Sequence, residues 1–201
     1  MNIRQFIFLV LSVTLASCGS PVNEQDEKKQ KAATVVDLKA FEVLGTQITS
    51  ESFLTLSGQV KAAMQEGGVP NAVGYCKISA YGIIDSLSKT HNAKITRTSL
   101  KPRNENNTAT PEQSSILKQF EADWQLGKQV MPFAEDMGDE GIHFYAPIWT
   151  QKACLQCHGF PGETLTEENH KIIKGLYPTD KAIGYKEDDL RGMWVVNFKK
   201  D

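Results

Sequence analysis

Histidine and cysteine are scarce in this chain, four of each, and neither is spaced for a closed zinc site. No second Cys-x-x-Cys pair and no His-x3–5-His pair is present, which excludes the usual four-ligand zinc arrangement. An excess of one charge is missing as well. Lys and Arg number 22 against 24 Asp and Glu, a net charge of −2. Without a basic stripe or polybasic run, nothing points to nucleic acid or to anionic lipid as a partner. There is no internal repeat, and no second composition regime after residue 31. One domain accounts for the rest, since 201 residues are enough to bury a real core.

The apolar run at the start, Phe6 to Leu15, is too short to span a bilayer. It follows Arg4, as the hydrophobic part of a secretory signal follows its basic end. Leu15-Ala16-Ser17-Cys18-Gly19 then resembles the lipobox of bacterial lipoproteins, where the chain is cut before the cysteine and that residue is acylated. The plainer alternative is an ordinary signal peptide with a chance cysteine. On the lipobox reading, residues 1–17 are a lipoprotein signal peptide and Cys18 carries the lipid. Two or more acyl chains give stable anchoring. Residues 18–33 contain almost nothing apolar, cannot bury a core and read as a flexible tether. The expectation is a globular domain over 34–201, held by lipid on the periplasmic side of a membrane. Gly19 is not the Asp associated with inner-membrane retention, which favours the outer membrane.

Thr34 to about Gln65 is helix-friendly, with Val35, Val36, Leu38, Leu44 and Ile48 forming a stripe. Gly67-Gly68 breaks the run, and Val69-Pro70 opens the next. Val73, Cys76, Ala80, Ile83, Ile84 and Leu87 then recur at three and four, one face of an amphipathic helix with Cys76 on the buried side. Lys94–Ser99 alternates as a strand. Thr110 caps a helix reaching about Leu126. Gly127–Phe133 is a candidate strand, Ala134–Glu140 an acidic turn, and Ile142–Trp149 the strongest strand signal in the chain. Thr166–Leu176 reads as a capped helix and Met193–Phe198 as a closing strand. The pattern is that of one α+β domain.

The chemistry lies in Ala153-Cys154-Leu155-Gln156-Cys157-His158-Gly159. Two thiols at this spacing can add to the two vinyl groups of one haem, and the next residue supplies an imidazole to the iron. The competing uses of Cys-x-x-Cys fit less well. Zinc lacks its second ligand pair, and a thioredoxin-type redox pair gives no role to the following His. The predicted cofactor is one covalent haem c on Cys154 and Cys157, with His158 as a ligand to the metal. Export agrees with this, because haem c is attached outside the cytoplasm.

The second axial ligand is less plain. The motif lies late, and the only downstream methionine, Met193, reads as a strand start. Cys76, His91, Met131, Met137, His143 and His170 are the other candidates. With Cys18 assigned to lipid and Cys154 and Cys157 to haem, Cys76 has no partner in an oxidising compartment. It could be a small buried hydrophobe. Iron ligation would account for both its solitude and its place on an apolar helix face.

Several stretches resemble a known family. They are Ala72-Val73-Gly74-Tyr75-Cys76, Thr96–Asn104 with Asn107, Phe144–Ile148 leading into the haem motif, Gly184-Tyr185, and Asp189-Leu190-Arg191-Gly192. The chain is similar to bacterial c-type haem domains of PAS-like fold, long catalogued as a domain of unknown function, which occur alone in exported proteins and as sensory parts of histidine kinases. The resemblance implies an antiparallel sheet with N-terminal helices packed against it, and the family's axial cysteine falls on Cys76, opposite His158. Arg97 and Arg103 become candidates for gripping haem propionates bidentately. The alternative for both is a loop tied by Asn and Arg hydrogen bonds.

A thiolate–imidazole pair leaves no vacant position and favours ferric iron, so the chain reads as a sensor or carrier and not an enzyme. The expectation is a redox or diatomic-gas sensing module that signals to an unidentified partner protein. The alternative is a single-haem electron-transfer cytochrome.

Overall fold

The computed structural model describes residues 36–200. The signal peptide, Cys18 and the tether expected over 18–33 lie outside the described residues. Helix α1 runs Leu38–Ile78 and α2 Ala80–Thr90, followed by β1 (Ala93–Thr98), α3 (Pro111–Gln125), β2 (Phe133–Asp136), β3 (Ile142–Trp149), α4 (Leu155–His158), α5 (Glu167–Leu176) and β4 (Leu190–Phe198). Among the described residues, no helix is long and apolar enough to cross a membrane.

The strands form one antiparallel sheet in the order β1-β4-β3-β2. The last strand in sequence is central, pairing Ala93 and Ile142 on either side of Phe198. Alternation along the strands makes two faces. Ile95, Phe144, Ala146, Trp194, Val196 and Phe198 pack under α1 and α2, against Ile48, Leu56, Ile84 and Leu87. Tyr145, Met193 and Val195 face the other way, against Leu117 and Phe120 of α3. Each large apolar side chain so buried contributes about 1.5–3 kcal/mol. Gly45 lets α1 lie directly on the sheet, since a Cβ there would fall 2.3 Å from the Phe144 ring.

The helices differ from the periodicity in one instructive way. Val73 to Leu87 reads as a single helical face, but the helix is re-started at Ser79, between α1 and α2. Val69 and Val73 pack with Leu165, Ile173 and Tyr177, whereas Ala80, Ile84 and Leu87 pack on the sheet. The stripe therefore serves two cores, and a straight helix would not reach both. Gly67-Gly68 breaks the helical conformation inside α1 as expected, with Gly68 at φ +67°.

The strand expected over Gly127–Phe133 starts instead at Phe133 and takes in part of the expected acidic turn. Phe133 stacks on Tyr145 across the ladder, with ring centroids 5.2 Å apart. Glu135 and Asp136 are tolerated because β2 is a sheet edge.

Candidate functional site

The Cys-x-x-Cys-His run follows β3 directly. A register shift between Ile148 and Trp149 ends the regular ladder, and Thr150 ties the exit down. Its backbone donates to Asp189 O at 2.9 Å and receives Asp188 N–H at 2.9 Å, while its hydroxyl donates to Lys186 O. Cys154 closes a short 3-10 turn onto Gln151 O at 2.8 Å. Leu155–His158 is one helical turn, closed by Gly159 N–H on Leu155 O at 2.8 Å. Gly159 is needed there, because a Cβ would sit 1.9 Å from Thr164 Oγ1 and 2.6 Å from Leu155 O.

His158 is fixed from three sides. Its Nδ1 lies 2.7 Å from the carbonyl oxygen of Ala182. A carbonyl only accepts, so Nδ1 carries the proton and Nε2 presents its lone pair. Its own carbonyl accepts from Tyr185 N at 3.0 Å. The Tyr185 ring meets the imidazole edge to face, 6.3 Å between centroids and 88° between planes. Burial holds the His158 pKa well below 6.5, and the Arg191, Arg103 and Arg97 charges push the same way, with the Ala182 carbonyl opposing them. Both effects favour the neutral imidazole, the form that can ligate a metal.

Cys76, Cys154 and Cys157 are free thiols, each half-buried. Cys157 packs against the Val69–Val73–Ile173–Tyr177 cluster, so the second half of α1 lies against the motif. Cys76 follows Val73 on that half. Lys77, beside it, donates to Leu176 O at 3.0 Å and pins α1 to the end of α5. Burial pushes the Cys76 thiol up, while Arg97 first and then Arg103 pull it down. Cys157 is likewise raised by burial and eased by Arg103.

The two arginines proposed for propionates behave differently. Arg97 stands on β1 beside its cross-strand neighbour Trp194, with its guanidinium 5.5 Å from the ring centroid. It has no hydrogen-bond or ion-pair partner among the described residues. Burial lowers its pKa, and the nearby Cys76, Tyr81 and Tyr177 raise it. Arg103 is already engaged. Its Nη2 donates to Cys157 O at 2.6 Å and to Ala182 O at 3.3 Å, and it lies 3.2 Å from Asp180 Oδ2.

The other ligand candidates are occupied or elsewhere. His91 lies 2.9 Å from Glu51. His143 contacts the Tyr145 hydroxyl at 3.3 Å. Met193 is fully buried under α3, and Met131 is exposed. His170 Nε2 is sealed from solvent on α5 without a hydrogen-bond partner among the described residues. Among the described residues, no three His, Cys, Asp or Glu side chains converge as they would around a bare metal ion.

Sequence reasoning did not find Asp180 and Ala182. Their signal is faint, a turn in which Asp180 Oδ1 accepts Ala182 N–H at 2.8 Å, an Asx geometry that many loops share. A separate cavity of about 470 Å³ borders Ser99, Lys101, Trp124, Tyr185 and Arg191. Tyr185 thus lines that cavity and packs on His158.

A family model described as Tll0287-like matches residues 21–198. A crystal structure of the cyanobacterial haem protein Tll0287 has a similar fold, at a TM-score of 0.57 and 24% sequence identity over 80% of this chain and 96% of that one. No curated protein sequence matches.

Proposed function

The chain belongs to the Tll0287-like family, and from that premise we propose that it carries one haem c, bound covalently by Cys154 and Cys157, with His158 and Cys76 as axial ligands. The observation that carries this reading is the His158–Ala182 hydrogen bond of 2.7 Å, directly after two free thiols at the right spacing. It leaves Nε2 as the only lone pair on the ring, next to the cysteines that would hold the macrocycle.

The residues present fit such a group. Arg97 is half-buried, and its guanidinium is unmatched by any carboxylate among the described residues, which leaves it able to take a propionate. Arg103 supports the motif backbone instead, through Cys157 O. Tyr81 and Tyr177 lie close enough to Arg97 and Cys76 to influence their charges. The cofactor, when bound, supplies a one-electron couple and, if an axial ligand leaves, a position for a diatomic gas. The chain's part is to hold His158 neutral, to place a cation beside the Cys76 thiolate, and to let that thiol accept a proton when it is released.

The domain then acts as a redox or gas sensing module, not an enzyme. Lipid on Cys18 would hold it on the periplasmic side, at the outer membrane, where a protein partner reads its state. Absorption spectra of the wild type and of Cys76→Ser in both redox states test the ligation. The ferric spectrum changes on substitution if Cys76 is a ligand, and an unchanged spectrum removes the basis of the sensing reading. Carbon monoxide binding to the reduced wild type supports sensing. Refusal of the gas, with rapid electron exchange, supports a single-haem electron carrier.

A further inference from the structure

Arg103 and Asp180 are buried together, with 12% and 0% of their side chains exposed. An ion pair so placed is a poor way to gain stability, because desolvation offsets much of the attraction. What it can supply is fixed geometry, and the atoms it fixes surround one carbonyl. Asp180 Oδ1 accepts the Ala182 N–H at 2.8 Å, and Asp180 Oδ2 lies 3.2 Å from Arg103 Nη2. The same Nη2 donates to Cys157 O at 2.6 Å and to Ala182 O at 3.3 Å. Ala182 O in turn accepts the His158 Nδ1 proton at 2.7 Å. Neighbouring backbone bonds reinforce the loop, Lys181 N to Pro102 O at 3.1 Å and Gly184 N to Gly159 O at 2.9 Å.

We infer that Asp180 and Arg103 are positioning residues for His158: they hold the Ala182 carbonyl on its Nδ1 proton and so set how strongly the imidazole donates to the metal. The inference rests on the haem reading above. The hydrogen bond on the far nitrogen fixes the tautomer and raises ligand basicity. Arg103 and Asp180 act in this role through the Ala182 backbone. Arg103 Nε and Asp180 Oδ2 have no hydrogen-bond partner among the described residues, so the pair meets as an ion contact through Nη2, whose hydrogen bonds go to Cys157 O and Ala182 O.

The test uses the ferric holoprotein and follows exchange of the hyperfine-shifted His158 Nδ1 proton with D2O by NMR, together with the reduction potential. If the clamp holds the carbonyl, Asp180→Asn and Arg103→Gln both speed exchange about tenfold or more, and Arg103→Lys restores part of the protection. A charge effect alone gives a different pattern. Removing the anion raises the potential, removing the cation lowers it, and exchange stays at the wild-type rate in both. That result overturns the inference. Uniformly faster exchange of backbone amides throughout the domain also overturns it, since it marks general destabilisation. Should Arg103→Gln not fold, the near-isosteric Asp180→Asn decides alone. A wild type without a c-type haem absorption spectrum overturns the haem reading itself, whereas a haem-loaded wild type whose imidazole proton exchanges too fast to be seen overturns only the clamp.

Discussion

The guanidinium of Arg97 lies over the ring of Trp194, 5.5 Å from its centroid, on the sheet face that α1 and α2 cover. The stacking partly compensates its burial, and its charge is the strongest one pulling the Cys76 thiol toward ionisation. In haem-free protein with Cys154→Ser and Cys157→Ser, Arg97→Gln is expected to slow alkylation of Cys76 at about pH 8, near the ordinary thiol range. The rate against pH moves to the alkaline side. An unshifted profile shows that Arg97 does not act on Cys76.

His158 predicts an acid weakness of the haem-free chain. Its pKa is depressed by burial in the fold, so the unfolded chain takes up the proton first as pH falls. The stability from this residue is present above the unfolded value of about 6.5 and is lost as pH falls from there toward the folded value. Urea midpoints at about pH 7.5 and about pH 5 should fall on acidification in the wild type, and fall less in His158→Gln. Equal falls in both would assign the acid sensitivity to other groups.

Gly45→Ala should destabilise the domain out of proportion to one methyl. The new Cβ would meet Phe144 at 2.3 Å, and Phe144 is fully buried, so α1 has to lift from the sheet. Overpacking of this kind costs about 1–3 kcal/mol, readable as a lower urea midpoint.

Tyr145→Phe should cost less. The Tyr145 hydroxyl donates to Glu112 Oε1 at 2.8 Å, and burial together with Glu112 pushes its pKa far above the ordinary value of 10.0. Glu112 itself is exposed, so water replaces its lost donor, while the buried His143 Nδ1 loses its contact with the hydroxyl; the loss is about 1.5 kcal/mol. Burial also raises Tyr81, Tyr177 and Tyr185, so ultraviolet titration should show several late-ionising tyrosines in the wild type and one fewer in the variant.

Local chemistry was legible in the residues themselves. Thr110 and Thr166 cap their helices as expected, accepting from Gln113 N and Asn169 N at 3.2 Å each. The β3 signal, Ile142–Trp149, matches the strand to the residue. Cys154, Cys157 and His158 stand together because they are adjacent in the chain. Contacts that cross the fold were not legible. Arg97 and Arg103 looked alike as basic residues near an Asn-rich loop, yet one faces Trp194 and the other Asp180, and no spacing rule distinguishes those partners. Asp180 and Ala182 stayed hidden for the same reason, since their meaning comes from Arg103 and His158, distant in sequence. The stripe from Val73 to Leu87 misled because periodicity records which residues are buried, not against what.

The break at Gly67-Gly68 gives that last point a mechanical sense. The first half of α1 is bolted to the sheet through Ile48 and Leu56, and the second half rests on α5 and the Cys157 side through Val69 and Val73. The arm that bears Cys76 is set off by non-helical backbone at the glycines and ends at Ser79, where α2 takes over. Cys76 thus belongs to a short segment whose packing is separate from the foundation under Phe144.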